Sequence, residues 1–249
     1  MKPNLKENLP DNFSIELNSD AETYYKVHSK RYEFLLSQVK KIRNHFPQRS
    51  LRILDIGPSI FTKLLEKSFP DDLILMLGLG HESSRGGHLP LNMELDPVRF
   101  YSFNLNNSQV KEKWIKLPES DIVIMAEVIE HLYTSPALVL EFLKTCIKSG
   151  GYLIIQTPNA AALRNRIALL LGRNPFEMIR TNADNPGHFR EYTMKELINF
   201  AEKTGFEVCR SAYISYFNPR NRPEKFYIFL TNIFPKSFRT GLTVILMKK

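Results

Sequence analysis

Leu51-Arg52-Ile53-Leu54-Asp55-Ile56-Gly57-Pro58-Ser59 is the stretch on which the fold is decided. Its apolar run is short and is cut off by Gly57-Pro58, the pattern of a buried strand that ends in a tight turn. The residues before it repeat differently. From Ala21 to Phe46, Tyr24, Tyr25, Val27, Tyr32, Leu35, Leu36, Val39 and Ile42 fall on one helical face, and Pro47 closes the segment. After it, apolar runs and helical segments alternate. Phe61 to Ser68 reads as a helix, Leu73 to Leu79 as a second strand ended by Gly80, Phe100 to Leu105 as a third, and Asp121 to Met125 as a fourth. Pro136 to Lys148 is helical, with Pro in the first turn and Gly150-Gly151 at the end. Tyr152 to Gln156 is a fifth strand, stopped by Thr157-Pro158-Asn159.

Such alternation predicts βαβ units and a parallel sheet, and near-continuous apolar strands predict a sheet covered on both faces. Ala160 to Leu171 reads as a helix, followed by a polar loop; Arg164, Arg166, Arg173, Arg180 and Arg190 lie in and around it. Thr193-Met194-Lys195-Glu196 is a capping box opening a helix to Lys203, ended by Gly205. Phe206 to Tyr216 is a sixth strand, 223–234 a helix and Gly241 to Met247 a last strand. The short excursion between those two strands predicts an antiparallel pair at one edge. The expectation is one α/β domain: an N-terminal helical segment over 1–50, an α/β core over 51–216, and a basic aromatic tail with the last strand over 217–249.

Composition narrows the function classes. Of 249 residues, 43% are hydrophobic and 11% aromatic, which excludes disorder for most of the chain. Two cysteines, Cys146 and Cys209, can make neither a disulfide framework nor a four-thiolate zinc site, and they fit a reducing compartment. No apolar run reaches 18 residues, and Met1 to Phe13 is too polar for a secretory signal, so the sequence reads as cytoplasmic. The net charge of +8 is uneven: residues 1–50 hold 9 basic and 6 acidic groups, 51–209 hold 17 and 19, and 210–249 hold 8 and 1. The middle is close to neutral and the tail is basic, so the excess concerns the acceptor or a surface that the tail touches, or is a solvated face, and does not concern the core.

In an open parallel sheet, ligands bind beyond the carboxyl ends of the strands. There Gly57 permits a tight turn and close approach of backbone to a ligand, and the next helix offers free N–H groups. Taken with Leu54-Asp55-Ile56-Gly57, the segments Glu127-Val128-Ile129-Glu130-His131-Leu132, Ser149 to Ile155, Thr157-Pro158-Asn159 and Gly187 to Thr193 resemble the class I S-adenosylmethionine-dependent methyltransferases. The likeness is to the branch near the ubiquinone-biosynthesis O-methyltransferases and covers roughly residues 50–216. It implies a Rossmann-like seven-stranded, mostly parallel sheet with helices on both faces and an antiparallel edge strand. It further implies that Asp55, Gly57, Pro58 and Ser59 wrap the methionine part of S-adenosylmethionine. The chain has Pro58-Ser59 where the family usually has a second glycine step. Where the family has an acid for the ribose, this chain has Gly80, with Glu82 two residues on as either a substitute or a solvated side chain. Asn104 or Asn106 matches the position facing the adenine amine.

The segment Glu127-Val128-Ile129-Glu130-His131 follows the fourth strand. On a helical turn, Glu127, Glu130 and His131 would project to one side. The resemblance extends to RNA 3′-end 2′-O-methyltransferases, in which two glutamates and two histidines bind a divalent ion. Glu127, Glu130, His131 and His188 match that set, and mixed O/N ligation suits Mg²⁺, Mn²⁺ or Zn²⁺. Alternatively the Glu and His only cap and orient the loop, with His131 or His188 as a general base. His28 and His45 read as surface groups of the first helix; His81 and His88 fall in a Gly-rich loop. Asp184 and Asn185 lie in a candidate lid over 172–190, and Phe189 and Tyr192 either line the acceptor site or pack in the core. Tyr24-Tyr25 either closes over the cofactor or packs.

Pro223 to Phe238 mixes Phe226, Tyr227, Phe229, Ile233 and Phe234 with Lys225 and Lys236, followed by Arg239. Such a segment can lie on a membrane surface, hold a lipid-linked substrate, or pack on the sheet with its charges in water. Three readings follow. The first is methylation of a hydroxyl on a small molecule such as a sugar, lipid-linked glycan, quinone or specialised metabolite. The second is RNA 2′-O-methylation, disfavoured by the lack of an added RNA-binding domain or stacking motif. The third is a degenerate, non-catalytic binding protein.

Overall fold

In a computed structural model, residues 19–47, 50–79, 98–182, 186–215, 218–219 and 221–249 are described. Seven strands form one sheet: β1 (Arg52–Ile56), β2 (Leu73–Gly78), β3 (Phe100–Ser102), β4 (Ser120–Ala126), β5 (Ile147–Pro158), β6 (Phe206–Ile214) and β7 (Gly241–Lys248). Their order is β3-β2-β1-β4-β5-β7-β6, with β3 to β5 and everything between them parallel. The reversed strand is β7, which pairs antiparallel with both β5 and β6. It therefore lies one place in from the edge, and β6 is the edge. The helices are α1 (Ser19–Arg43), α2 (Ile60–Ser68), α3 (Pro136–Thr145), α4 (Leu163–Leu170), α5 (Met194–Lys203) and α6 (Arg222–Ile233).

The strand sequences explain why both faces are covered. On β1, Ile53 joins one apolar cluster while Leu54 and Ile56 join the other; on β4, Ile122 and Ile124 oppose Val123 and Met125. Alternate side chains point to opposite faces, so a strand buried twice has no polar alternation. One cluster is filled by α1 and α2 through Leu35, Val39, Phe61 and Leu64, the other by α3 and α5 through Val139, Phe142 and Leu197. α4 and α6 stand apart from this pattern. Each buries one residue, Asn165 and Thr231 respectively.

Several expected element ends move: the first helix stops at Arg43, the third at Thr145, and the fourth runs from Leu163 to Leu170. The third strand stops at Ser102, because Asn104 caps a 3-10 turn over Leu105–Gln109 by accepting from the Asn106 N–H at 3.0 Å. The fifth begins five residues early, at Ile147, and a register shift against β4 absorbs Gly150-Gly151. Gly150 has φ +74 and ends no helix; it sits in that irregularity.

Candidate active site

The carboxyl ends of β1, β4 and β5 converge, and three turns leave them. The first is Gly57-Pro58-Ser59. Gly57 has φ +75, is exposed, and binds the Leu77 carbonyl through its N–H at 2.9 Å. A Cβ there would lie 2.9 Å from Val128 Cγ2, so the turn touches the segment after β4. Gly57→Ala combines a strained φ with that clash. We expect it to destabilise the fold by about 1–3 kcal/mol and to weaken S-adenosylmethionine binding, read by denaturation and calorimetry.

Ser59 caps α2, accepting from the Phe61 N–H at 3.2 Å, while Thr62 Oγ1 accepts from the Ser59 N–H at 2.8 Å. Pro58 is buried and lacks an N–H, so it fixes the turn without donating. Asp55 is fully buried and accepts from Thr62 Oγ1 at 2.6 Å. Burial pushes its carboxyl up to about 7, against the Thr62 hydrogen bond that lowers it. A carboxyl raised in the fold stabilises most below its unfolded value, and that stability falls as pH rises from about 4 through 7. Asp55→Asn keeps an acceptor for Thr62 and cannot ionise. It should unfold like the parent at pH 4 and be more stable by about 2–4 kcal/mol at pH 8, measured by urea denaturation.

The second turn follows β4. Glu127 has φ +56, and among the described residues it is the one non-glycine with positive φ. Its N–H donates to the Gln156 carbonyl at 2.8 Å, and a 3-10 turn, Ile129–His131, comes next. Glu127, Glu130 and His131 are therefore not on one helical turn: the backbone is left-handed at 127, and Glu130 and His131 sit on the 3-10 turn that follows. Glu127 Oε2 faces Arg31 of α1 at 3.2 Å. Glu130 is completely buried and accepts from Thr157 Oγ1 at 2.9 Å, and its other oxygen, like Glu127 Oε1, is buried without a hydrogen-bond partner. Burial raises both carboxyls; Arg31 opposes this at Glu127, while Glu127 raises Glu130 further.

The third turn brings in residues 186–192. The Glu130 carbonyl accepts from the N–H groups of Phe189 and Arg190 at 2.8 and 3.2 Å, and Asn159 bridges to Tyr192. These bonds set His188 against His131, with ring centroids 4.7 Å apart and nearly perpendicular. His131 Nδ1 lies 3.0 Å from the Gly187 carbonyl, so that nitrogen carries the proton and donates. His188 Nδ1 is 3.2 Å from Glu191 Oε1. One ligand atom each from Glu130, His131 and His188 lies within 4.8 Å of the others. Of the four residues expected to hold a metal, these three share that distance; the Glu127 carboxylate pairs with Arg31 and also feels His188 and Glu130. An orphaned buried carboxylate oxygen and two imidazoles anchored through Nδ1 fit a divalent cation.

Other expected residues are placed as follows. Asn106 is buried, and its side-chain oxygen accepts from the Tyr133 and Thr134 N–H groups, so it ties two loops together; Asn104 stays half-exposed. Asn159 donates to the Ser237 and Arg239 carbonyls, which makes Thr157-Pro158-Asn159 a structural junction. Tyr192 is in the core, and Phe189 is at the surface against Tyr133. Gly80, His81, Glu82, His88, Asp184 and Asn185 lie outside the described residues. Sequence reasoning missed Arg31 and Glu191. Arg31 is 6% exposed, lies against the Tyr24 and Tyr32 hydroxyls at 3.5 and 3.2 Å, and interrupts the apolar stripe of α1. A cation within such a stripe was the available signal.

The fold agrees with known proteins. A family model described as a methyltransferase domain matches residues 27–211. The chain belongs to that family, and it is an S-adenosylmethionine-dependent methyltransferase of the Rossmann-like class. The ubiquinone biosynthesis O-methyltransferase of Colwellia psychrerythraea is 24% identical over 213 residues, 82% of this chain and 81% of that one. A relative from Mycolicibacterium smegmatis, named for S-adenosylmethionine-dependent methyl transfer, is 27% identical over 135 residues; the match spans only 44% of that protein. Among solved structures, an S-adenosylmethionine-dependent methyltransferase of Archaeoglobus fulgidus shares the fold with a TM-score of 0.52 at 16% identity, covering 87% of this chain and 94% of that one.

Proposed function

We propose that the chain methylates a hydroxyl of a small molecule, with a divalent cation at Glu130, His131 and His188. The observation that carries this reading is the grouping of those three beside an orphaned carboxylate oxygen at the mouth of the sheet. The Colwellia relative is named as an O-methyltransferase, which supports oxygen as the acceptor atom. S-adenosylmethionine supplies the sulfonium methyl, and a bound cation would favour the ionised form of the acceptor hydroxyl.

The chain's own residues align and shield. Gly57 lets the backbone approach the methionine end of the cofactor. Gly187 and Glu191 orient the two imidazoles. Arg31 and Glu127 join α1 to the turn after β4 and close that side against water. In-line displacement needs mainly such alignment.

A second reading has one observation in its favour: the His188 Nδ1–Glu191 contact is also what a metal-free general base requires. Turnover of labelled S-adenosylmethionine with hydroxylated acceptors, with and without chelator, separates the two. Loss in chelator and recovery with Mg²⁺, Mn²⁺ or Zn²⁺ is expected. Turnover unchanged in chelator leaves the dyad and removes the cation.

A further inference from the structure

Two helices and a loop on one flank carry an arrangement that the reaction does not use. Among the described residues, eleven of the sixteen large hydrophobic side chains that remain exposed belong to α4, the segment 171–179, and the stretch from Phe226 to Phe234. On α4 and its cap, Ile167, Leu170 and Leu171 share one helical face, and Leu170 is 86% exposed. On α6, Phe226, Phe229 and Ile233 form a second solvent-facing stripe, while the opposite side, around Tyr227 and Thr231, packs inward. The aromatic tail thus packs with one face and presents the other.

The two helices are neighbours. The Tyr227 hydroxyl accepts from the Arg164 N–H at 3.3 Å, and the Arg166 guanidinium lies 4.8 Å over the Phe238 ring. Between them, residues 163–180 and 222–239 hold eight basic and two acidic groups. Arg164, Arg173, Arg222, Lys225 and Lys236 are all exposed. Exposed leucines and phenylalanines are unfavourable in water at this density, and basic groups among them select what covers them.

We propose that this flank seats on an anionic phospholipid bilayer, with the apolar stripes in the acyl boundary and the cations on the headgroups. The charge decides among occupants. A second copy related by a two-fold axis would bring the same basic face against itself, which like-charge repulsion opposes. A nucleic acid would satisfy the cations and leave the leucines in water. An anionic bilayer satisfies both. The flank also adjoins the acceptor side of the active site: Glu177 Oε2 would lie 3.0 Å from a Cβ at Gly187, whose carbonyl holds His131. A lipid-borne acceptor would meet the site from the surface on which the protein sits.

The test is co-sedimentation of the full chain with vesicles of phosphatidylcholine alone or with one third phosphatidylglycerol. Partitioning should be at least tenfold stronger on the anionic vesicles. Leu170→Ser with Phe226→Ser and Phe229→Ser should lower it at least tenfold, with melting temperature and S-adenosylmethionine binding unchanged. Lys225→Glu with Lys236→Glu should abolish the preference for anionic vesicles. Equal or absent binding to both vesicle types overturns the proposal, as does binding indifferent to these variants. A dimer dissolved by the serine variant would make a second copy the occupant. An RNA mobility shift abolished by the glutamate variant, without vesicle binding, would assign the face to nucleic acid.

Discussion

His188→Ala is expected to lower turnover by about 10²- to 10⁴-fold while the KM for S-adenosylmethionine stays within a few-fold. The asymmetry follows from placement. His188, on the turn from residue 186 to 192, stands with Glu130 and His131, whereas the turn proposed to hold the cofactor leaves β1 at Gly57. Removing the imidazole also strips Glu191 Oε1 of a donor at 3.2 Å. Glu191→Gln keeps the size of that side chain and removes the charge, and its effect should be smaller, about tenfold, because it acts by orienting His188. A His188→Ala enzyme with more than a tenth of parental turnover would remove this cluster from the reaction. A rise in the cofactor KM as large as the fall in kcat would place His188 at the cofactor instead.

Arg31→Met is expected to destabilise the fold by about 3–5 kcal/mol, the range seen when one partner of a buried ion pair is removed. Arg31 is buried, and the Glu127 carboxylate it faces at 3.2 Å has its second oxygen unpartnered. Glu127 also occupies a left-handed conformation, which costs a non-glycine about 1–2 kcal/mol and is held by the bond from its N–H to Gln156. With the guanidinium gone, a poorly solvated charge remains beside Glu130. Adding Glu127→Gln to the Arg31→Met chain should therefore restore at least half of the loss, and a double-mutant cycle in urea measures it. A single-variant loss below 1 kcal/mol would show that the pair is in effect solvated.

The parts legible in the sequence were those with local causes. β1, β2 and β4 are near-continuous apolar runs, with Asp55 inside β1 and Ser120-Asp121 opening β4, because both faces of the sheet are covered. α5 starts at Thr193 because its hydroxyl accepts from the Glu196 N–H at 3.3 Å and the Glu196 carboxylate answers the Thr193 N–H at 2.8 Å. Periodicity misled where one residue changed the backbone. Glu127, Glu130 and His131 have helical spacing, yet a positive φ at 127 breaks the helix and the turn that follows is 3-10. Arg31 escaped notice because a basic residue on a helix is usually solvated. It is buried here by Glu127, which is 96 residues away in the chain.

By itself the sequence determined the class of fold, the tight turn at Gly57 and the residue types proposed for the reaction centre. Strand burial, capping and the demand for φ > 0 are properties of a few consecutive residues. Tertiary structure alone decided which of those residues meet. His131 and His188 come together because the Glu130 carbonyl holds the chain at 189 and 190. Glu127 meets a cation from another helix, Arg31 of α1. The leucines of α4 and the phenylalanines of α6 stay in water because neither helix reaches the two apolar clusters that cover the sheet. Contacts between distant segments depend on how the sheet closes, and no local pattern of residues encodes them.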